Sequence, residues 1–253
     1  MRKTAIVTGA TAGIGEATAR TLAQNGYNVI ITGRREERLA DLKKEIESKT
    51  ESTVLTISFD VRNNQEVSNA FKNIPAEWRS IDLLINNAGL AAGATSIQDG
   101  LLDDWERMID TNIKGLLYVS KQIMPLMIKR QSGHIINIGS VAGKEVYANG
   151  NVYCATKHAV DALTKGMRID LLKHGIRVSQ IAPGAVETEF SVVRFHGDQN
   201  AADSVYKGFQ PLVAQDIADT ILFVATRPPH VTINDVLIMP TAQANTTHID
   251  KKL

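Results

Sequence analysis

The 253-residue sequence has little of several things that mark particular classes of protein. A single cysteine, Cys154, excludes a disulfide within the chain and fits a reducing compartment. The net charge is only +1 and aromatic residues make up 5% of the chain, so the basic, aromatic surface of a nucleic-acid-binding protein is not expected. No apolar run is long enough to cross a membrane. These absences predict a cytoplasmic globular protein without nucleic-acid or membrane partners.

Short β-branched apolar runs alternate with longer amphipathic segments along the chain. The runs predict strands over residues 4–8, 28–32, 53–58, 83–86, 134–138, 177–181 and 235–239. The longer segments predict helices over 15–25, 36–48, 64–73, 112–129, 151–174 and 215–225. This alternation predicts an α/β fold in which residues 1–253 form one Rossmann-type domain, a doubly wound parallel sheet with helices on both faces.

Two segments lack the pattern of a core. Residues 191–208 are polar and mixed in charge, and they predict a mobile flap over the substrate at about 187–210. The tail, about 240–253, is rich in Thr, Ala and Asn. We expect it to be either disordered or held by a partner subunit.

A glycine-rich loop lies between the first predicted strand and the first predicted helix. Its glycines let the backbone turn sharply and approach a pyrophosphate, whose charge is met by free N–H groups at the start of the helix. A plain strand–helix turn is the alternative, but the order strand, loop, helix, strand favours a dinucleotide site. The expected cofactor-binding residues of this loop are Gly9, Ala10, Thr11, Ala12, Gly13, Ile14 and Gly15.

The second predicted strand ends in Gly33-Arg34-Arg35. NAD enzymes usually place an acidic residue here to bind the ribose 2′-hydroxyl, whereas two guanidiniums suit a 2′-phosphate. The alternative is that both arginines merely pair with Glu36 or Glu37 on the next helix. The missing acid and the two arginines together predict NADP as the cofactor.

Further candidates for the cofactor follow the next two strands. Asp60 and Val61 come after the third strand, where they could contact the adenine, and Asn87, Ala88 and Gly89 come after the fourth. Read alone, each of them is more often structural than cofactor-binding.

Tyr153 and Lys157 stand four residues apart in a predicted helix and therefore share one face. A lysine cation about 4 Å away supplies roughly the 4 kcal/mol that lowers a tyrosine pKa by about three units. The pair thus predicts a tyrosine general acid/base. Cys154 and His158 have the same spacing, but they lie about 100° around the helix. We interpret them as a small buried cysteine beside a helical histidine.

Ser140 and Asn112 complete the candidate constellation. Ser140 follows a predicted strand at the end that faces the ligand crevice, and its hydroxyl can bind a substrate oxygen. Asn112 opens a predicted helix and could be a plain N-cap. The histidines lack ligand spacing, so no metal site is expected.

With these motifs in this order, nearly the whole chain resembles the short-chain dehydrogenase/reductase family. The resemblance implies that Tyr153 is the general acid/base, that Ser140 orients substrate, and that Lys157 lowers the tyrosine pKa and binds the nicotinamide ribose. It further implies that Asn112 holds a water of a proton relay. The residues implied to cover the nicotinamide are Pro183, Gly184, Ala185, Val186 and Thr188.

The flap and the C-terminal segments most resemble the NADP-dependent 3-hydroxy acid dehydrogenases, which oxidise serine, allo-threonine or 3-hydroxyisobutyrate and are usually tetramers. A small acid needs a cationic anchor, and Arg194 is the candidate in the flap, unless it only covers Phe190 and Phe195. Two alternatives stay open: a 3-oxoacyl-thioester or general carbonyl reductase of the same family, and a dinucleotide-sensing module without catalysis.

Overall fold

The seven predicted strands form one parallel sheet in the computed structural model, which describes residues 2–252. The sheet order is β3-β2-β1-β4-β5-β6-β9. The strands are β1 Lys3–Thr8, β2 Tyr27–Gly33, β3 Val54–Ser58, β4 Ile81–Asn86, β5 Gly133–Ile138, β6 Ile176–Pro183 and β9 Asp235–Ile238. Two further strands, β7 Val186–Glu187 and β8 Leu212–Val213, pair with each other.

Helices cover both faces of the sheet, as the alternation of apolar runs with amphipathic segments predicted. Along β1, Ala5 and Val7 pack on one face and Ile6 on the other, and all three are fully buried. The first face is covered by α1 Gly13–Gln24, α2 Glu36–Lys49 and α9 Ala214–Ala225. The second is covered by α3 Asn64–Lys72, α5 Leu116–Arg130 and α6 Asn151–Leu171. The prediction of a doubly wound α/β fold is confirmed.

One predicted helix boundary is wrong. The sequence places a helix start at Asn112, but the helical segment begins at α4 Leu102–Ile109 and runs through a π-helical stretch, Asp110–Gly115, directly into α5. Asn112 therefore lies inside a continuous helix and is not its N-cap. A π-helical insertion places residues off the regular helical period, so apolar periodicity could not extend the prediction through it.

The flap and the tail are more ordered than their composition predicted. The flap contains two short helices, α7 Phe190–Arg194 and α8 Gln199–Tyr206. The tail folds back on its own chain: Asp250 donates its backbone N–H to Ala242, and Lys252 donates to Gly208 beside the flap. The expectation of a disordered tail is wrong for residues 240–252, whereas the alternative, a tail held by a partner subunit, stays a prediction. Of the helices within residues 2–252, none has the length and apolar character needed to span a bilayer.

Candidate active site

A cavity of about 540 Å³ opens at the carboxyl ends of the strands, next to the point where the sheet order reverses between β1 and β4. This is where open α/β sheets bind their ligands. The residues predicted from the sequence that line it are Gly9, Thr11, Ala12, Gly13, Ile14, Arg34, Arg35, Asp60, Val61, Asn87, Ala88, Gly89, Ser140, Tyr153, Lys157, Pro183, Gly184, Ala185, Val186, Thr188 and Arg194. Ala10, Gly15 and Asn112 are not among the lining residues.

The glycine loop forms a cradle that side chains would fill. Gly9 and Gly13 have φ angles of +65° and +53°, which L side chains rarely adopt. A Cβ on Gly9 would lie 2.9 Å from the Cα of Ala88, and one on Gly15 would collide with the carbonyl oxygen of Gly9. The N-cap of α1, Ala12, makes no side-chain hydrogen bond to the helix. The first turn of α1 thus keeps N–H groups for an anion, and the loop fits a dinucleotide pyrophosphate.

Three arginines, and not two, stand beside this cradle. Arg35 donates from Nη2 to the Thr11 hydroxyl at 2.8 Å, and its Nη1 lies 2.9 Å from a carboxylate oxygen of Glu189 in the flap. Arg38 approaches the other oxygen of Glu189 at 2.7 Å. Sequence reasoning missed Arg38, which lies in the first turn of α2, three residues after the N-cap Arg35. Within residues 2–252, neither Arg34 nor Arg35 forms an ion pair with Glu36 or Glu37, so that alternative is wrong.

Asp60 is held by arginines from two sides. Arg62 donates to its carboxylate at 2.6 Å, and Arg34 lies 3.7 Å away. Burial acts to raise the pKa of Asp60, but the hydrogen bonds from Arg62 outweigh it and the net pKa is lowered. Asp60 is therefore an ionised acceptor at the cavity wall.

Tyr153 and Lys157 are both buried and lie side by side on α6, with the lysine Nζ 5.9 Å from the centre of the tyrosine ring. Lys157 donates to the Ile138 carbonyl at 3.0 Å, and burial lowers its pKa to about 8. Burial also raises the pKa of the Tyr153 phenol well above 10, against the lowering effect of the Ser140 hydroxyl. The expectation that Lys157 brings the tyrosine pKa down is thus not met in the protein alone, because desolvation of the phenol dominates.

Asn112 fixes the loop after β4. Its Oδ1 accepts from the Leu90 backbone N–H at 2.9 Å, and its Nδ2 donates to the Leu90 carbonyl at 2.8 Å and to the Thr156 hydroxyl at 3.0 Å. The side chain is therefore committed to protein partners. It positions the segment after Gly89 and the helix that carries Tyr153.

Arg194 of the flap and a second tyrosine, Tyr147 of the loop before α6, meet at the cavity. Arg194 donates from Nη1 to the Tyr147 hydroxyl at 3.0 Å, and its Nε is buried without a hydrogen-bond partner. The guanidinium also lies 5.8 Å from the Phe195 ring, so the aromatic contact expected of a covering arginine is present too. Phe190 packs edge-on against Tyr153. Sequence reasoning missed Tyr147, which precedes α6 in a loop without a motif.

The tail also reaches the cavity. Gln243 accepts the backbone N–H of Ala185 at 2.8 Å, and Thr246 and Ile249 line the cavity wall. Cys154, by contrast, is buried away from any reactive pairing, since His158 contacts its carbonyl oxygen at 2.8 Å. The interpretation of Cys154 and His158 as structural residues therefore stands.

Comparison with known proteins agrees with this geometry. A sequence model described as short chain dehydrogenase matches residues 3–198. The chain belongs to the short chain dehydrogenase family. It is 48% identical over 240 residues to the NADP-dependent 3-hydroxy acid dehydrogenase of Salmonella typhi, covering 94% of this chain and 95% of that protein. It is 41% identical over 251 residues to that of Schizosaccharomyces pombe, covering 99% and 97%.

Two solved structures of serine dehydrogenases superpose closely on the chain. The closed form of a serine dehydrogenase complexed with NADP+ matches with a TM-score of 0.92 and 45% identity, over 95% of this chain and 96% of that one. Serine dehydrogenase from Escherichia coli matches with a TM-score of 0.82 and 41% identity, over 95% and 99%. Both share the fold of this chain over nearly its whole length.

Proposed function

We propose that the protein is an NADP-dependent oxidoreductase that reversibly oxidises the hydroxyl of a small 3-hydroxy acid such as serine, allo-threonine or 3-hydroxyisobutyrate. The observation that carries the proposal is the shared cavity. It joins a glycine cradle with arginines beside it, a buried Tyr153–Lys157 pair, and Arg194 in the flap. The NADP-dependent 3-hydroxy acid dehydrogenases among its relatives support both the cofactor and the substrate class.

The proposed roles at the dinucleotide follow from the fit of the cradle. Backbone N–H groups of the glycine loop and the first turn of α1 would hold the pyrophosphate. Arg34, Arg35 and Arg38 would meet the 2′-phosphate, which charge-assisted hydrogen bonds from guanidiniums favour. When bound, NADP supplies the hydride acceptor for oxidation and the hydride donor for reduction.

The proton chemistry falls to Tyr153. In the reducing direction its phenol donates a proton to the substrate oxygen as that oxygen becomes an alkoxide, and the raised pKa keeps the phenol protonated at neutral pH. In the oxidising direction the phenol first loses its proton to solvent, and the Lys157 cation stabilises the resulting phenolate in a dry site. The phenolate then accepts the proton of the substrate hydroxyl and becomes a neutral phenol, while the Ser140 hydroxyl donates to the substrate oxygen. Asn112 acts as a positioning residue, because both N–H groups of its Nδ2 and one lone pair of its Oδ1 bind Leu90 and Thr156.

Arg194 and Tyr147 are proposed to bind the substrate carboxylate. Arg194 has an Nε without a partner, and Tyr147 accepts from Arg194 and so keeps its own hydroxyl proton to donate. A carboxylate offers the acceptors that both groups lack. A neutral ketone offers a single acceptor oxygen, so Arg194 and Tyr147 together favour an acid over a neutral substrate.

A homotetramer is also part of the proposal. Ile169 and Leu172 near the end of α6 are each 75% exposed, and Phe223 on α9 is 52% exposed. An interface that covers these side chains would remove their apolar surface from water. Light scattering coupled to gel filtration gives the mass in solution, and a monomeric mass would contradict the tetramer.

One substrate panel tests the proposed activity. Serine, allo-threonine, 3-hydroxyisobutyrate, a neutral secondary alcohol and a 3-hydroxyacyl thioester are each assayed with NADP+ and with NAD+. We expect the highest kcat/KM for a free 3-hydroxy acid with NADP+. A preference for the thioester would identify a 3-oxoacyl-thioester reductase instead, and activity with none of these would favour a dinucleotide-sensing role.

A further inference from the structure

A carboxylate of the flap bridges two arginines that stand beside the nucleotide cradle. Glu189 lies immediately before α7, and its two oxygens lie 2.9 Å from Nη1 of Arg35 and 2.7 Å from Nη1 of Arg38. The three side chains are between 44% and 49% exposed. No other residue of the flap forms an ion pair with α2 or its N-cap in the described part of the chain. Glu189 is therefore the charged link between the flap and the cofactor half of the cavity.

The place that this carboxylate occupies suits a phosphate. Arg35 directs Nε and Nη2 to the Thr11 hydroxyl, which leaves its Nη1 facing Glu189. Two guanidiniums that converge on a two-oxygen anion form the kind of site that also binds phosphate oxygens. The hydrogen bond from Arg38 lowers the pKa of Glu189 despite opposing burial, so the carboxylate is ionised at neutral pH. A 2′-phosphate bound here would face this negative charge.

We propose that Glu189 is an internal competitor of the 2′-phosphate. In the free protein its carboxylate takes the place of that phosphate on Arg35 and Arg38, and NADP displaces it. The inference rests on the proposed function, because the phosphate in question is that of NADP. It identifies Glu189 as a residue that sets cofactor specificity and whose charge is opposite to that of the arginines around it.

Displacement of Glu189 has a consequence for the substrate half of the cavity. The next residue, Phe190, packs against Tyr153 at a ring separation of 5.7 Å, and Arg194 ends the same short helix. Release of Glu189 frees the start of α7 from α2. NAD carries a 2′-hydroxyl that does not compete for the guanidiniums, so the link persists when NAD binds. The flap thus distinguishes the two cofactors through the phosphate alone.

Calorimetric titration of fragments separates the phosphate from the rest of the cofactor. The probes are 2′,5′-ADP, which carries the 2′-phosphate, and 5′-AMP, which lacks it, followed by NADP+ and NAD+. We expect Glu189→Gln to bind 2′,5′-ADP and NADP+ about three- to tenfold more tightly than the wild type, the size expected from one or two half-exposed ion pairs. The affinities for 5′-AMP and NAD+ stay within about twofold. Glu187→Gln removes the same charge from an exposed residue of the flap that makes no ion pair with Arg35 or Arg38, and it should bind like the wild type.

Hydrogen–deuterium exchange provides a second readout. Saturating 2′,5′-ADP should speed exchange at residues 190–206 in the wild type, whereas 5′-AMP should not. Glu189→Gln should show the faster exchange without any ligand. Unchanged or weaker NADP+ binding by Glu189→Gln, or an equal gain for NAD+, overturns the competition. If the wild type itself binds 2′,5′-ADP no more tightly than 5′-AMP, the NADP assignment fails first and the inference falls with it.

Discussion

Replacing Lys157 by methionine should stabilise the ligand-free protein while it abolishes activity. The Lys157 ammonium is buried, and burial alone accounts for the fall of its pKa from 10.5 to about 8. That difference corresponds to about 3 kcal/mol of destabilisation at neutral pH, where the charged form must be buried. Methionine has a similar length and no charge. The substitution removes the hydrogen bond to the Ile138 carbonyl, which costs about 1–2 kcal/mol.

The net effect is a gain of about 1–2 kcal/mol in the free energy of unfolding at pH 7, or about 2–8 °C in Tm for a chain of this size. The sign of the pH dependence follows from the lowered pKa. Below pH 8 lysine is charged in both the folded and the unfolded chain, and the folded wild type carries the full penalty. Between pH 8 and 10.5 the folded lysine loses its proton first, so the wild type gains stability and the advantage of the variant disappears.

Urea unfolding of both proteins at pH 7 and at pH 10 measures this difference, and turnover with the preferred acid should fall at least about 100-fold. Lys165→Met on the same helix is the matched control, because Lys165 is 60% exposed and pairs only with Asp161. Its stability should change by less than about 1 kcal/mol at either pH. A Lys157→Met protein that is less stable than the wild type at pH 7 would refute the reasoning. So would a free energy of unfolding that differs from the wild-type value by the same amount at pH 7 and at pH 10.

Three further variants test other parts of the site. Arg194→Ala should lower kcat/KM for a 3-hydroxy acid by about 10- to 100-fold and leave a neutral alcohol unaffected, and equal losses for both substrates would remove Arg194 as the carboxylate anchor. Gly15→Ala should weaken NADP+ binding and destabilise the fold by about 1–3 kcal/mol, because the added Cβ would collide with the Gly9 carbonyl oxygen. Gly166→Ala on α6 is the control: its Cβ would meet nothing within 4 Å, and the substitution should be neutral or stabilising. A chain that ends at Met239 should keep its size on gel filtration but lose most of its activity, because Gln243 no longer holds Ala185. Wild-type kinetics of that shortened chain would show that the tail does not shape the cavity.

The sequence predicted the parallel sheet and the gathering of motif residues for a physical reason. The strands are mainly apolar and are buried on both faces, and the carboxyl ends of parallel strands meet at one edge of the sheet. Gly9, Ser140 and Tyr153 could therefore be placed on one cavity before any coordinates, because each follows a strand end or lies on a helix next to one. Arg38 could also have been predicted from the sequence, since it lies in the first turn of α2, three residues after the N-cap Arg35.

Other features depend on contacts between distant segments and left no local pattern. The ion pairs of Glu189 with Arg35 and Arg38 join residues more than 150 positions apart. Tyr147 and Gln243 reach the cavity from a loop and a tail whose composition reads as unstructured, and their order comes from hydrogen bonds to Arg194 and Ala185. The pKa of Tyr153 was misjudged for a related reason: the spacing of Tyr153 and Lys157 reveals their proximity, but only the packed structure reveals how fully the phenol is desolvated.

The most direct test of the central claim is the Tyr153→Phe variant. It removes one hydroxyl oxygen at the edge of a packed cavity, so the proposed mechanism predicts an unchanged dissociation constant for NADPH by fluorescence titration. Oxidation of the preferred 3-hydroxy acid by NADP+ should fall by about 10²- to 10⁴-fold in the same preparation. Retention of more than about a tenth of the wild-type turnover would contradict the assignment of Tyr153 as the general acid/base.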